Sequence, residues 1–399
     1  MKTNILIAGL VLATVGTVLI YPTLRGHATS VGTTVHTTRV QPPLGTKRVE
    51  VVFVLDTTGS MGGLIAAAKE KIWSIASTLA QAQQAPEISM GLVAYRDRGD
   101  AYVTRVVDLD KDLDSMYAKL MDFQADGGGD GPEAVNAALD DAINKMSWSQ
   151  NADTYKVVFL VGDAPPHMDY QGEKTYPQIV AAAAAKGIVV NTIQCGSMEG
   201  TVAPWQQIAA IGHGRYFTVE QAGSAVAVET PFDAKIATLA AELDGTRMYY
   251  GSDEERSAGA AKVDATTRLR ASASVSAQAR RGAFNASESG AGNLLGGREL
   301  VDDVASGRVD VATVPAAQMP APLVGLPRAE QDALLKQTAD KRQLLQQEIA
   351  KLAGERDAYI EEKVEAAGGA KDSLDQQIYD AVREQAAPVG LEYEGGPKF

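Results

Sequence analysis

The sequence predicts an α/β fold, a doubly wound and mostly parallel sheet with helices on both faces, followed by a mainly helical C-terminal region. Three observations carry this expectation. Residues 49–55 read Val-Glu-Val-Val-Phe-Val-Leu, an apolar run of the kind that is buried on both faces of a parallel sheet. From there strand-like and helix-like stretches alternate as far as Leu243, the pattern of successive crossovers. Beyond Leu243 the composition shifts to Ala, Ser, Gly and Arg, and then to long runs of strong helix formers.

The first strand ends on Asp56 and passes through Thr57-Thr58-Gly59-Ser60-Met61-Gly62-Gly63 into a helix-compatible run over 64–79. Residues 88–95 form a second strand that closes on the polar turn Arg96-Asp97-Arg98-Gly99-Asp100, and 102–109 can pair back on it as a short antiparallel edge. Helices follow over 113–123 and 133–146, the second with Pro132 at its start, where a missing N–H leaves no bond unmade. Residues 156–161 make another central strand, ending at Gly162-Asp163. Helix 176–186, strand 188–194, helix 202–211 and strand 215–219 continue the alternation, and 221–243 closes it as a helical segment. Since the pattern is complete by Leu243, a chain cut near Gly251 is expected to fold and to keep its site.

Composition narrows the function. A chain of 399 residues with 45% hydrophobic and 6% aromatic residues has room for two domains, one with a good core and one more tenuous. A net charge of −13 argues against a nucleic-acid partner, which needs a concentrated positive surface. The single cysteine, Cys195, excludes an internal disulfide and a multi-cysteine metal cluster, and its place in a strand makes it a small buried thiol.

At the N-terminus, Met1-Lys2-Thr3-Asn4 precedes sixteen uncharged residues, 5–20. Such a run is either a secretory leader or a membrane anchor, here assigned to 1–22. Either places the body outside the cytoplasmic membrane, in the periplasm or at the cell surface. No Ala-x-Ala cleavage signature follows, and no cysteine lies nearby for a lipid anchor. An uncleaved anchor predicts that the full-length protein stays in the membrane fraction after alkaline washing, whereas soluble protein beginning near Ser30 would reject it. Residues 23–48, polar and with Pro42-Pro43, read as a linker.

The chemistry gathers at strand ends. Asp56, Thr58 and Ser60 place a carboxylate and two hydroxyls above the carboxyl edge of the sheet, where open α/β folds bind ligands. Hard oxygen donors suit Mg²⁺ or Mn²⁺. The plain alternative is that Asp56 only caps the following helix. In Asp126-Gly127-Gly128-Gly129-Asp130-Gly131-Pro132-Glu133, consecutive glycines permit close backbone approach. A third apolar strand, Val158-Phe159-Leu160-Val161-Gly162, also ends on an acid, Asp163.

Strand-Asp-x-Thr-x-Ser resembles the first motif of the von Willebrand factor A domain, whose metal-ion-dependent adhesion site uses Asp-x-Ser/Thr-x-Ser. Asp163 matches that family's last metal-site acid, and Gly212-His213-Gly214-Arg215-Tyr216-Phe217 resembles its last strand. The resemblance spans the alternating region, assigned as a domain over 49–245. It implies a site of Asp56, Thr58, Ser60 and Asp163 holding Mg²⁺, or Mn²⁺ or Ca²⁺, that recognises an Asp or Glu of a protein partner. Where the family usually has a Thr, this loop resembles a Gly-Gly-Gly-Asp-x-Pro-Glu variant. Asp130 then replaces the Thr, touching the metal directly or through water, or only bracing the loop.

Catalytic constellations are scarce. Of four histidines, His27 and His36 fall in the linker, and the Pro165-Pro166 step holds His167 extended after Asp163. No phosphate loop, dinucleotide fingerprint, His-Glu-x-x-His or nucleophile elbow occurs. The expectation is a binding protein, not an enzyme. The alternatives are a metal-assisted hydrolase using the same site and a structural protein interacting through its C-terminal helices.

After a connecting region over 246–327, with an alanine-rich stretch at 258–279 and four prolines in 315–327, residues 328–390 form a helical region. Its first helix carries Leu345, Ile349, Leu352, Tyr359 and Ile360 on one stripe, interrupted by Arg356, so that a coiled coil is poorly specified. Gly368-Gly369 permits a turn into a second run with Leu374, Ile378 and Val382 on one face. The pair folds back on itself or on the sheet domain, or forms a partner-docking arm. Residues 293–364 loosely resemble tails of some bacterial secreted proteins with this domain.

Overall fold

A computed structural model describes residues 47–129, 131–219, 228–366 and 373–397. The assigned leader or anchor and all but the end of the linker therefore lie outside the described residues, as does Asp130. Among the described residues no helix is long and apolar enough to cross a membrane.

Six strands, β1 Arg48–Asp56, β2 Glu87–Tyr95, β3 Thr104–Asp110, β4 Thr154–Gly162, β5 Ile188–Cys195 and β6 His213–Val219, form one sheet in the order β3-β2-β1-β4-β5-β6. Strand β3 is antiparallel to β2 and the other pairings are parallel. β1 lies at the centre because its residues after Arg48 are buried on both faces. The polar Thr-Arg-Val-Val-Asp-Leu-Asp of β3 suits a half-exposed edge. Register places Asp56 of β1 beside Tyr95 of β2, and Leu55 beside Val161 of β4, so that the carboxyl ends of the central strands are level.

The period-two alternation of β1 divides the core. Val49, Val51, Phe53 and Leu55 face helices α1 Gly62–Leu79 and α2 Leu113–Met121. Val52 and Val54 face α3 Val135–Asn144, α4 Tyr176–Ala185 and α5 Val202–Ile211. Helix α3 starts later than Pro132 suggests. The Glu133 N–H donates to the Pro165 carbonyl at 2.9 Å and the His167 N–H to the Glu133 carbonyl at 3.1 Å, which keeps Glu133 extended against Pro166.

The second half comprises α6 Asp233–Asp244, α7 Asp253–Ser272, α8 Val275–Ala286, α9 Ala291–Leu295, α10 Leu300–Ala305, α11 Arg328–Ala366 and α12 Leu374–Ala386. The alanine-rich stretch is two helices. Ser252 and Glu255 make a capping box at the start of α7, and Ser274 caps α8 by accepting the Ala277 N–H.

These helices change the expected closure of the sheet domain. The apolar face of α6, with Ile236, Leu239 and Leu243, packs on Ala279 of α8 and on Leu345 and Ile349 of α11. The place beside β6 and α1 is taken by α12, whose Ile378, Tyr379, Val382 and Ala386, together with Leu391 and Tyr393, share one core with β1 and α1. The Tyr155 hydroxyl donates to Gln385 at 2.8 Å, and Gln385 exchanges two further bonds with Asn191 of β5. Thus the helix that completes this face comes from the end of the chain, not from 221–243, of which 221–227 lie outside the described residues. Of the readings open for the second helical run, folding onto the sheet domain is the one observed.

The stripe of α11 is likewise covered within the chain, by α6 and α8, so it needs no coiled-coil partner. Arg356, the apparent interruption, is buried and donates to Asp233 at 2.8 Å. Arg342, one side of the same helix, is buried against Glu299, with bonds of 2.9 and 3.0 Å. Charges inside the stripe are thus paired in the interior, where unpaired they would be costly.

Candidate metal centre

Asp56 ends β1 in full burial. Its Oδ1 accepts the Thr58 N–H at 2.9 Å and the Thr58 hydroxyl at 2.6 Å, an Asx-type turn that steers the chain off the sheet. The Thr58 hydroxyl lies 3.3 Å from that of Ser60, and the Ser60 hydroxyl donates to Asp163 Oδ1 at 3.1 Å. Four predicted residues, Asp56, Thr58, Ser60 and Asp163, therefore meet at the carboxyl edge of β1 and β4. Ser60 is exposed and the others are buried, so the cluster opens to solvent on the Ser60 side. Thr57, which is not part of the cluster, turns the other way, its hydroxyl donating to the Tyr95 carbonyl at 2.8 Å. Arg96 secures the turn by donating to the carbonyls of Thr57 and Gln124, at 3.1 and 2.9 Å.

Asp163 is held from below. The Thr201 hydroxyl donates to its carbonyl at 3.2 Å, and the Trp205 indole N–H donates to the Ala164 carbonyl at 3.0 Å. Gly162 precedes it for a steric reason. A Cβ there would run into the Tyr95 hydroxyl and lie 3.0 Å from Asp56 Cβ. Gly162→Ala is expected to lower stability by about 1–3 kcal/mol through overpacking and to displace Asp56, which thermal melts with and without divalent metal would reveal.

The glycine loop lies over the same edge. The Gly59 N–H donates to the Gly127 carbonyl at 3.1 Å, and the Asp126 N–H to the Thr57 carbonyl at 3.2 Å. Gly127 and Gly128 have φ of 79° and 81°, left-handed conformations that favour glycine, and the Asp100 carboxylate accepts the Gly128 N–H. Beyond the loop, Glu133 is buried at 4% exposure. A Cβ on Gly128 would lie 3.3 Å from Thr58 Cβ and 3.4 Å from Glu133 Oε1, so that both side chains border the place a larger residue would fill. The residue was legible as part of the loop, but nothing in its spacing marks it as turned towards the cluster.

Burial and neighbouring acids set the electrostatics of the cluster. Burial, opposed by the Thr58 hydrogen bonds, pushes Asp56 up to about 7, with Asp163 adding to the rise. Burial and then the charges of Asp56, Asp97, Asp100 and Asp163 push Glu133 up to about 9. Burial also raises Asp163. Among the described residues Asp56 Oδ2, Glu133 Oε2 and the Tyr95 hydroxyl are buried without a hydrogen-bond partner. An orphaned carboxylate oxygen among hard hydroxyl donors fits a divalent cation. Among the described residues no three His, Cys, Asp or Glu converge closely enough to hold an ion alone, so the hydroxyls would have to share the work.

His167 is buried away from this role. Its Nδ1 is 2.8 Å from Asp169, its Nε2 is 3.4 Å from Asp97, and its ring stacks on Tyr170 with centroids 4.1 Å apart. Cys195 is buried in β5, and burial pushes its thiol well up, which keeps it protonated.

Residues 50–230 match the model of the von Willebrand factor A domain. Von Willebrand factor A domain-containing protein 7 of Rattus norvegicus is 41% identical over 91 residues, 23% of this chain and 10% of that protein. The alpha-protein kinase vwkA of Dictyostelium discoideum is 30% identical over 121 residues, 30% of this chain and 19% of the kinase. A putative ariadne-like RING finger protein, R811, of Acanthamoeba polyphaga mimivirus is 21% identical over 229 residues, 52% of this chain and 22% of that protein. The chain thus spans less than a quarter of the length of each of these relatives. Among solved structures, the SpRpn10 VWA domain aligns with a TM-score of 0.34 and 12% identity, covering 44% of this chain and 89% of that one. Proximal thread matrix protein 1 of the mussel byssus, with a zinc-occupied MIDAS motif, aligns with a TM-score of 0.34 and 15% identity, over 43% of this chain and 42% of that one.

Proposed function

We propose that the von Willebrand factor A domain of residues 50–230 is a divalent-metal-dependent protein-binding module, for adhesion or scaffolding, that takes an acidic group of a partner. One observation carries this reading: buried acids and hydroxyls converge at a strand edge whose mouth is the exposed Ser60. Asp56, Thr58, Ser60 and Asp163 would hold Mg²⁺, Mn²⁺ or Ca²⁺, with Asp130 of the glycine loop a further candidate outside the described residues. Such an ion supplies a positive position with an exchangeable place that an Asp or Glu oxygen can fill.

The chain's own residues set how strongly that place attracts an acid. Thr58 and Ser60 are neutral donors and take nothing from the positive charge, which only the carboxylates Asp56 and Asp163 would reduce, while Arg96 and Asp100 keep the two loops in place. His167, engaged by Asp169 and Tyr170, is not presented as a base at the mouth, which favours binding over hydrolysis. The acidic net charge of −13 speaks against a nucleic-acid partner. The uncharged run 5–20 supports placing the module in the cell envelope, exported to the periplasm or cell surface and tethered to the membrane if that run is retained.

The test is capture of partners from envelope extracts by the parent and by Asp56→Ala, each with and without EDTA. Partners held by the parent in Mg²⁺ and lost in the other three conditions are expected. Capture that is indifferent to chelator and to Asp56 would sink the reading.

A further inference from the structure

We infer that the seam between the sheet domain and the C-terminal helices holds a binding site for a small organic anion, a carboxylate carried on a short apolar body. The site is a cavity of about 190 Å³ walled by the end of α1, by α8 and by α11, and none of its lining residues belongs to the metal centre. Three observations carry it. Hydrogen-bond donors line the cavity from all three walls: Gln81 just past α1, Arg280 of α8 and Arg356 of α11. Both arginines are buried, at 4% and 3% exposure, so their charges are little screened by solvent. Gln81 Nε2 is buried with no hydrogen-bond partner among the described residues, a donor that lacks an acceptor.

The surroundings narrow the ligand. Arg356 is fixed at its wall by bonds to Asp233, at 2.8 Å, and to Ser276, at 3.3 Å. Asp233 and the partly exposed Asp357, 4.0 Å from the same guanidinium, offset much of the charge of Arg356, which suits a singly charged ligand better than a phosphate. Between the donors the walls are apolar, from Ala283 and Phe284 of α8 and Ala353 of α11. The volume is below the ~300–1,000 Å³ of sites for drug-sized molecules. A carboxylate on a body the size of one ring therefore fits, its oxygens accepting from a guanidinium and from Gln81 while the ring lies against Phe284 and the alanines.

The experiment titrates benzoate into the full chain by calorimetry, in EDTA so that no metal can take the carboxylate. Saturable binding of one benzoate with a Kd of about 1 mM or tighter is expected. Benzamide, which keeps the ring and lacks the charge, and inorganic phosphate, which is charged and lacks the ring, should each bind at least about tenfold more weakly. Gln81→Leu should weaken benzoate by at least about tenfold, yet melt at or above the parent's temperature without ligand, because a buried unsatisfied donor is gone. Ala353→Leu, which fills the cavity from α11, should abolish binding; if it does not fold, Gln81→Leu decides alone. Asp56→Ala, altered at the metal centre, should bind benzoate as the parent does. No saturation by about 10 mM, equal binding of benzamide, or unchanged affinity in Gln81→Leu would overturn the inference and leave the cavity to water. Loss of benzoate binding in Asp56→Ala would overturn it too, by placing the carboxylate at the strand edge.

Discussion

Removal of residues 251–399 is expected to abolish cooperative folding of the sheet domain, although the alternation of strands and helices is complete before the cut. The reason is that Leu269, Ala277, Phe284, Ile378, Tyr379, Val382, Leu391 and Tyr393 belong to the same core as β1 and α1. Fully burying one such large side chain contributes about 1.5–3 kcal/mol, so losing several removes as much as the ~5–15 kcal/mol by which a domain is usually stable. A single guanidinium shows the same dependence. Arg281 of α8, 1% exposed, donates to both oxygens of Asp114 in α2 at 2.6 Å and to both oxygens of Asp244 at the end of α6 at 2.9 Å. Arg281→Met would leave buried Asp114 with only the more distant Lys262, at 3.9 Å, and buried Asp244 with only Arg247, at 3.7 Å, at a cost of about 3–5 kcal/mol. Urea denaturation followed by circular dichroism measures both. A fragment ending at Tyr250 that unfolds in one sharp transition would show that the C-terminal helices only decorate the domain.

The pairing has a sign in pH. The Arg281 charges beside Asp114 hold its carboxyl well below the usual range, despite its burial. Its stabilising contribution is therefore present above the ordinary value of 3.8 and is lost as pH falls below it. Acid unfolding of the parent should be steeper than that of Arg281→Met.

What could be read from residue order was whatever depends on local pattern. The central strands announce themselves because a strand covered on both faces has no polar face to show, and the acids at their ends, Asp56 and Asp163, follow from where those strands stop. The partner of each element was less legible. Helix α6 and helix α12 are both amphipathic, and nothing local tells which of them lies beside β6; the difference is made by Gln385 reaching Tyr155 and Asn191 across the chain. Arg356 interrupts an apolar stripe in the sequence, yet its partner Asp233 is 123 positions away, beyond any local signal. Glu133 was hidden for a related reason. Pro132 reads as the start of a helix that includes Glu133, whereas pairing with Pro165 and Pro166 holds Glu133 extended, with its Oε1 bordering the Gly128 position as Thr58 does. Long-range pairing overrode local preference at each of these positions.

Replacement of Asp56 by Asn is expected to abolish divalent-ion binding with little loss of fold, and binding by the parent is expected to strengthen as pH rises. The Asn keeps an oxygen to accept the Thr58 N–H and hydroxyl, so the turn after β1 survives, but it removes the charge and the orphaned Oδ2. In the metal-free protein, burial raises Asp56 from 3.8 to about 7 and Glu133 from 4.5 to about 9. Groups raised in this way contribute stability that is fully present below their unfolded values and is lost as pH rises through the folded ones. The metal-free parent should therefore lose stability between about pH 4 and 9, first through Asp56 and then through Glu133. A cation held by Asp56 must displace its proton, so below about pH 7 the affinity should rise with pH, roughly tenfold per pH unit for each proton released per ion. Saturating metal then restores, at high pH, the stability that ionisation removes, and the two melting curves separate as pH increases. Calorimetry at pH 6 and pH 8, in buffers of different ionisation enthalpy, counts the protons released. If the affinity is the same at both values, or if Asp56→Asn binds ion as tightly as the parent, the ion is not held by Asp56.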